Sequence, residues 1–360
     1  MRTALAETLL SQIMGWTAEE VQKERPLLQA LSNFKYNEYQ QYSPGMRFIE
    51  SLVRWLNQID DKAERRIAYN FIKSNLIFIS SEQISHLVTL AFPQIIQPVL
   101  INKTAEQLNV SKYAIRTITN SAEFALNKRK SLFIGLSDGS KIDHFRRCNN
   151  ISNEQIYLDY RISESKIKEL INELKKDTGE TTFNSIFLID DFTASGKSYF
   201  RTEDGDYKGK IYKFLNSLLQ KTDDKLSSLV ALQDCSILIL FYVATSDAVN
   251  YIQDSVKDWL LELQIDIDID VQTIQTLLPE LKQDILKEQE FLKLCKKYYD
   301  NSIEDKHYKK GKMDSPFLGF NECSLPLILH HNTPNNSLPI LWLHEDKKFV
   351  GLFPRVTRHQ

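Results

Sequence analysis

The stretch Ser185–Ser198, S-I-F-L-I-D-D-F-T-A-S-G-K-S, narrows the choice of fold more than any other. Ile186–Ile189 is a continuous apolar run of the length of a buried strand. Two adjacent carboxylates, Asp190 and Asp191, close it, and a turn of small and hydroxyl residues, Thr193–Ser198, follows. A helix is expected to begin near Tyr199. In open α/β sheets ligands bind beyond the carboxyl ends of the strands. A turn of this kind offers backbone N–H groups to a phosphate. The carboxylates beside it can accept hydrogen bonds from a ribose diol or hold Mg²⁺ through water. Gly196-Lys197-Ser198 looks like the end of a P-loop, but the first glycine of that motif would fall on Asp191, where a carboxylate repels phosphate. The bland alternative is a strand-to-turn junction with an acidic cap.

The same α/β alternation extends to either side. Ser131–Leu136 reads as an earlier strand, running into the turn Ser137-Asp138-Gly139-Ser140-Lys141 and a helix from Ile142. Lys141, Arg146 or Arg147 would suit an anion there, since Arg chelates phosphate oxygens through two N–H groups. A solvated helix face is the equal alternative for both arginines. Asn153–Leu158 and Ser163–Leu174 read as helical, the second with Ile167, Leu170, Ile171 and Leu174 as its buried stripe. Ile211–Leu219 is helix-like, and Ile237–Ala244 is an apolar strand of the kind buried on both faces. Thr245 can cap a helix after it. Residues 265–271 alternate Ile or Val with Asp, which is an edge strand with one acidic face.

Residues 1–125 read instead as a helical domain. Leu5, Leu9, Ile13 and Trp16 recur at helical spacing, as do Phe48, Leu52, Trp55 and Leu56. Within it, residues 104–118 have the layout of a helix-turn-helix, with Asn109 at the turn and Ser111 opening a second helix; two packed helices are the preferred reading. The remainder, 126–360, is expected to form one α/β domain, with a lysine-rich flap at 300–316. The formal charge of −2 gives no global basic field, so direct nucleic-acid contact is not favoured. Four scattered cysteines share no metal spacing and read as reduced cytosolic thiols. The longest apolar run, Ile237–Ala244, is too short to span a bilayer. A cytoplasmic location is expected.

A second unusual stretch lies near the C-terminus. Leu325–Leu329 reads as a strand, and His330-His331-Asn332-Thr333-Pro334-Asn335-Asn336 is a dense polar loop after it. Asn332, Asn335 and Asn336 can read base edges, and His331 can act as acid/base. The alternative is a turn whose Asn side chains satisfy their own backbone.

Four apolar residues, two acids, three variable positions and Ser/Thr-Gly-x-Ser/Thr resemble the PRPP-binding signature of type I phosphoribosyltransferases. The resemblance implies that Asp190 and Asp191 hold the ribose hydroxyls and the metal. It implies that Thr193, Ala194, Ser195, Gly196, Lys197 and Ser198 wrap the 5′-phosphate, and that Ser137–Lys141 with Arg147 receive pyrophosphate. Ala194 departs from the aspartate that 6-oxopurine enzymes carry there. With F-I-G-L-S-D-G-S-K-I-D-H-F-R-R, H-N-T-P-N-N-S-L-P-I-L-W and the terminal L-F-P-R, nearly the whole chain resembles the phosphoribosyltransferase-like (PRTase-CE-like) proteins of bacterial conflict and antiphage systems, some of them retron-associated. That likeness implies a Rossmann-like parallel sheet behind an all-helical N-terminal domain. It also implies Mg²⁺ with PRPP or a nucleotide, and chemistry at the ribose C1′–N bond or nucleotide sensing without turnover. The implied partners are a reverse transcriptase with its DNA/RNA or a winged-helix protein, and no membrane.

Overall fold

A computed structural model describes residues 3–219, 226–309, 311 and 313–355. The chain forms two compact units: Met1–Gln83 with Leu278–Gln360, and Ile84–Leu277. The expected boundary near residue 125 is therefore corrected. The N-terminal helices share a unit with the C-terminal segment, and the α/β unit ends at Leu277 rather than at the C-terminus. Helical periodicity shows that Phe48, Leu52 and Phe71 face a core, but it does not say which segment completes that core.

In the first unit the completing segment is the C-terminal one. Phe71, on helix Lys62–Asn75, stacks on Phe291, on helix Gln289–Lys297, with ring centroids 3.6 Å apart. Trp55 donates its indole N–H to the Ile340 carbonyl at 3.0 Å. Strand β1 (Ile77–Ile79) pairs in parallel with the C-terminal strand Leu327–Leu329. The expected flap at 300–316 is corrected as well. Ile303 and Tyr308 are buried in this unit's core, and the Tyr308 hydroxyl donates to the Pro316 carbonyl at 2.7 Å. Residues 310 and 312 of that stretch lie outside the described residues.

The second unit is built on five parallel strands. These are β2 (Ser131–Gly135), β3 (Ile156–Tyr157), β4 (Ser185–Thr193), β7 (Ser236–Thr245) and β8 (Asp268–Leu277), in the spatial order β3-β2-β4-β7-β8. A small antiparallel hairpin, β5 (Arg201–Glu203) and β6 (Asp206–Lys208), lies between β4 and β7 in sequence. Alternate residues of a strand face opposite sides of the sheet. Leu132, Ile134, Ile186 and Leu188 bury one face with Leu170, Phe214 and Trp259 of the crossover helices. On the other face Phe133 stacks on Phe187 and meets Phe145 of helix Ile142–Cys148. Both faces are covered, which is why β4 and β7 read as unbroken apolar runs. The segment expected to be helical at 153–158 is a single 3-10 turn followed by β3. The acidic alternation ends as the edge strand β8, with Ile269 and Val271 buried and Asp268 and Asp270 exposed.

Helix Gln97–Leu108 stops at Asn109, whose φ of 53° is left-handed, as the turn reading requires. The next helix does not open at Ser111. It is five residues long, Ile115–Thr119, with Ile118 buried. Among the described residues, one helical run, Ser81–Leu108, is long and apolar enough to cross a membrane. Its residues Ile84, Val88, Ala91, Leu100 and Ala105 are buried at the spacing of a core helix.

Candidate functional site

In this strand order the chain runs outward from β2 to β3, then returns past β2 to β4. The reversal lies between β2 and β4, and in a doubly wound sheet that point is where a ligand crevice forms. The turn after β2 and the end of β4 carry the residues singled out in the sequence.

Asp190 lies within β4, since the strand runs on to Thr193 rather than ending at Ile189. Its side chain is fully buried and accepts four hydrogen bonds. The Ser137 hydroxyl and the Asp191 N–H reach one oxygen, the latter at 3.1 Å. The Tyr199 hydroxyl (2.8 Å) and the Lys210 ammonium (3.1 Å) reach the other. Burial, and then the charge of Asp191, raise its pKa, while Lys210, Ser137 and Tyr199 pull it back. Burial and the two carboxylates push the Tyr199 and Tyr242 phenols well above their usual range, so both remain donors. Tyr242 donates to the Ser140 carbonyl at 2.7 Å, fixing the turn after β2 from β7.

Asp191 leaves the strand on the opposite face and meets Gly139. A Cβ on Gly139 would lie 2.5 Å from an Asp191 carboxylate oxygen, so only glycine lets the turn approach this closely. Asp190 is thus tied into the protein, and Asp191 is the carboxylate directed at the turn.

The Thr193–Ser198 turn is fixed at several points. Thr193 Oγ1 accepts the Gly196 N–H at 3.2 Å. Thr245 caps helix Ser246–Leu263 and donates its hydroxyl to the Ala194 carbonyl at 2.7 Å. The Gly196 carbonyl accepts from the N–H groups of Tyr199 and Phe200, and the Lys197 carbonyl accepts from Arg201 at 3.1 Å. In a trans peptide the next N–H points opposite to the carbonyl. With these three carbonyls turned onto protein partners, the N–H groups of Ser195, Lys197 and Ser198 face the other way, as an anion-binding nest does. Gly196 has a φ of +71°, and a Cβ there would lie 2.7 Å from the Tyr251 ring. The position therefore demands glycine twice over.

One expectation is corrected here. No helix begins near Tyr199; hairpin β5–β6 intervenes, and the helix is Lys210–Leu219. Lys210 and Ile211 donate their N–H groups to the carbonyls of Ser198 and Tyr199. The nest, rather than a helix terminus, presents the backbone N–H groups here.

The other sequence candidates fall differently. Ser137, Gly139 and Ser140 join Asp190 and Asp191, whereas Asp138 and Lys141 are exposed. Arg147 is exposed and paired with Asp143 at 2.6 Å on the helix surface. His331, Asn332, Asn335 and Asn336 belong to the first unit, because their preceding strand pairs with β1 and not with the five-stranded sheet. His330-His331 form a tight turn closed by the Leu329–Asn332 bridge. Asn336 donates to the Phe320 carbonyl at 3.1 Å, and Thr333 to that of Phe353 at 3.1 Å, with the Tyr39 hydroxyl 2.9 Å from Thr333 Oγ1, so both tie the turn to other segments of the first unit.

Sequence reasoning passed over Tyr199, Lys210 and Tyr242 as site residues. Tyr242 left a signal, a lone hydroxyl inside an apolar strand run. Lys210 left none, since its link to Asp190 exists only in the fold.

Among known proteins, the family model PRTase-CE matches residues 52–355. No curated protein matches, and no solved structure does.

Proposed function

Because the chain belongs to the PRTase-CE family, we propose that the β2–β4 crevice binds a 5-phosphoribosyl compound, PRPP or a nucleotide, and acts at its ribose C1′–N bond. The observation that supports this reading is that the carbonyls of Ala194, Gly196 and Lys197 are turned onto protein partners, so that the N–H groups which follow them point away from those partners. The nest would hold the 5′-phosphate and Asp191 would accept from the ribose hydroxyls. Ser137–Ser140 would border the other end of the ligand. Asp190 would position both turns, through Ser137 and Tyr199, without touching the ligand.

Among the described residues no cluster of three ligating side chains could hold a metal, and both Asp190 oxygens are already engaged. Mg²⁺ therefore fits as an ion carried by the ligand's phosphates, with Asp191 reaching it through water. It would neutralise departing phosphate charge. The protein's own share is positioning and a fixed electrostatic frame around a cationic sugar transition state.

A second reading is favoured by Ala194, which is buried and has no acid/base group to offer. On it the chain binds the same ligand and signals to a partner without turnover. On the first reading the protein would be an antiphage effector, on the second a sensor regulating a partner in a defence complex, in either case in the cytoplasm; the likeness to conflict-system proteins supports this context. The partner would be a reverse transcriptase with its nucleic acid or a winged-helix protein.

Calorimetry of the full chain with PRPP and Mg²⁺, beside Asp191→Asn, tests the site. The expected result is binding that the substitution weakens by about a hundredfold, as loss of a charged hydrogen-bond acceptor does. Equal affinity in both would overturn the assignment. Nucleotide pools measured after incubation with cell extract separate turnover from sensing.

A further inference from the structure

We propose that a second cleft in the α/β unit binds a nucleoside monophosphate whose base carries an exocyclic amine. The cleft has a volume of about 630 Å³, within the range of small-molecule sites. None of its lining residues belongs to the Asp190 site. Tyr160, Arg161 and Ser163 form one wall, at the start of helix Glu164–Thr178. Tyr212, Lys213 and Asn216 form the other, on helix Lys210–Leu219.

Three features define the ligand. The two phenol rings give a flat ring something to lie against. Arg161 has its guanidinium 5.5 Å from the Tyr160 ring centre, and its side chain is 76% exposed, with Asp159 at 3.6 Å. Lys213 is exposed on the facing wall. These cations suit one phosphate, and the Arg fork can take two of its oxygens. Glu164 also lines the cleft but pairs with Lys168 at 3.0 Å, so the local charge favours a monophosphate over a triphosphate. The third feature sets the base. Asn216 Oδ1 is buried and has no hydrogen-bond partner among the described residues. An unmatched buried carbonyl costs about 1–3 kcal/mol, which a base N–H donor would recover. Adenine, guanine and cytosine present such an amine; unsubstituted purine presents no N–H donor.

The test is calorimetric titration of AMP into the full chain. The proposal expects a binding isotherm that weakens about tenfold or more in Arg161→Ala/Lys213→Ala, both exposed positions where the fold is retained. It expects Asp191→Asn to leave that isotherm unchanged, which separates this cleft from the β2–β4 crevice. Purine riboside monophosphate, whose base has no N–H donor, should bind several-fold more weakly than AMP, and Asn216→Leu should abolish the difference. Absence of AMP binding overturns the proposal. So does an isotherm that Asp191→Asn removes, or one indifferent to the Arg161/Lys213 double substitution. PRPP binding to Asp191→Asn remains a separate question, so either proposal can fail alone.

Discussion

The turns at the ends of β2 and β4 and the turn His330–Asn336 invite the same reading from composition, yet the structure uses them differently. In the C-terminal turn, Thr333 bonds the Tyr39 hydroxyl and the Phe353 carbonyl, and Asn336 the Phe320 carbonyl, so its side chains tie segments of the first unit together. Around Asp190 the bonds converge instead on one buried carboxylate: Ser137 from the β2 turn, Tyr199 from beyond the β4 turn, Lys210 from a helix. Polar density in a loop does not by itself mark a site. Position at the reversal of a parallel sheet, with side chains and carbonyls turned so that backbone N–H groups point outward, is the stronger sign.

The comparison can be broken at several points. The largest effect is expected from Asp190→Ala, which strips the acceptor from two hydroxyls, an N–H and an ammonium. About 3 kcal/mol of the second unit's stability should be lost, seen as an earlier urea transition, with ribosyl-ligand binding lost alongside. An unchanged transition would mean the carboxylate is not a structural hub. Gly196→Ala should follow, at about 2 kcal/mol, because a Cβ there enters the Tyr251 ring in a left-handed backbone conformation. PRPP affinity should fall with it.

Asn336→Ala tests the other side. Loss of its bond to Phe320 should cost the first unit about 1–2 kcal/mol and leave PRPP affinity unaltered. A drop in affinity matching that of Asp191→Asn would return this turn to the site. Smallest is Arg147→Ala. Its side chain is 69% exposed and its partner Asp143 is 53% exposed, so the change should stay within about 0.5 kcal/mol and leave PRPP affinity unaltered.

What the sequence revealed follows the same line. Strands β4 and β7 were legible because burial on both faces writes a continuous apolar run, and Asn109, Thr245 and Gly196 announced turns through their local chemistry. The hairpin Arg201–Lys208 was not, since its three-residue strands carry no apolar alternation. The unit boundary was hidden because the pairing of Phe71 with Phe291 is a long-range choice that periodicity leaves open. In the site, Asp191 and the nest were legible as a motif. The four hydrogen bonds that Asp190 accepts inside the protein were not, because they depend on Ser137 and Lys210 being brought to it by the fold.

The most direct test is hydrogen exchange of the full chain with and without PRPP and Mg²⁺, resolved to short peptides. The account predicts slowed exchange across 137–141 and 190–198, and unchanged exchange across 330–336. Saturating ligand that leaves both 137–141 and 190–198 unprotected would contradict it.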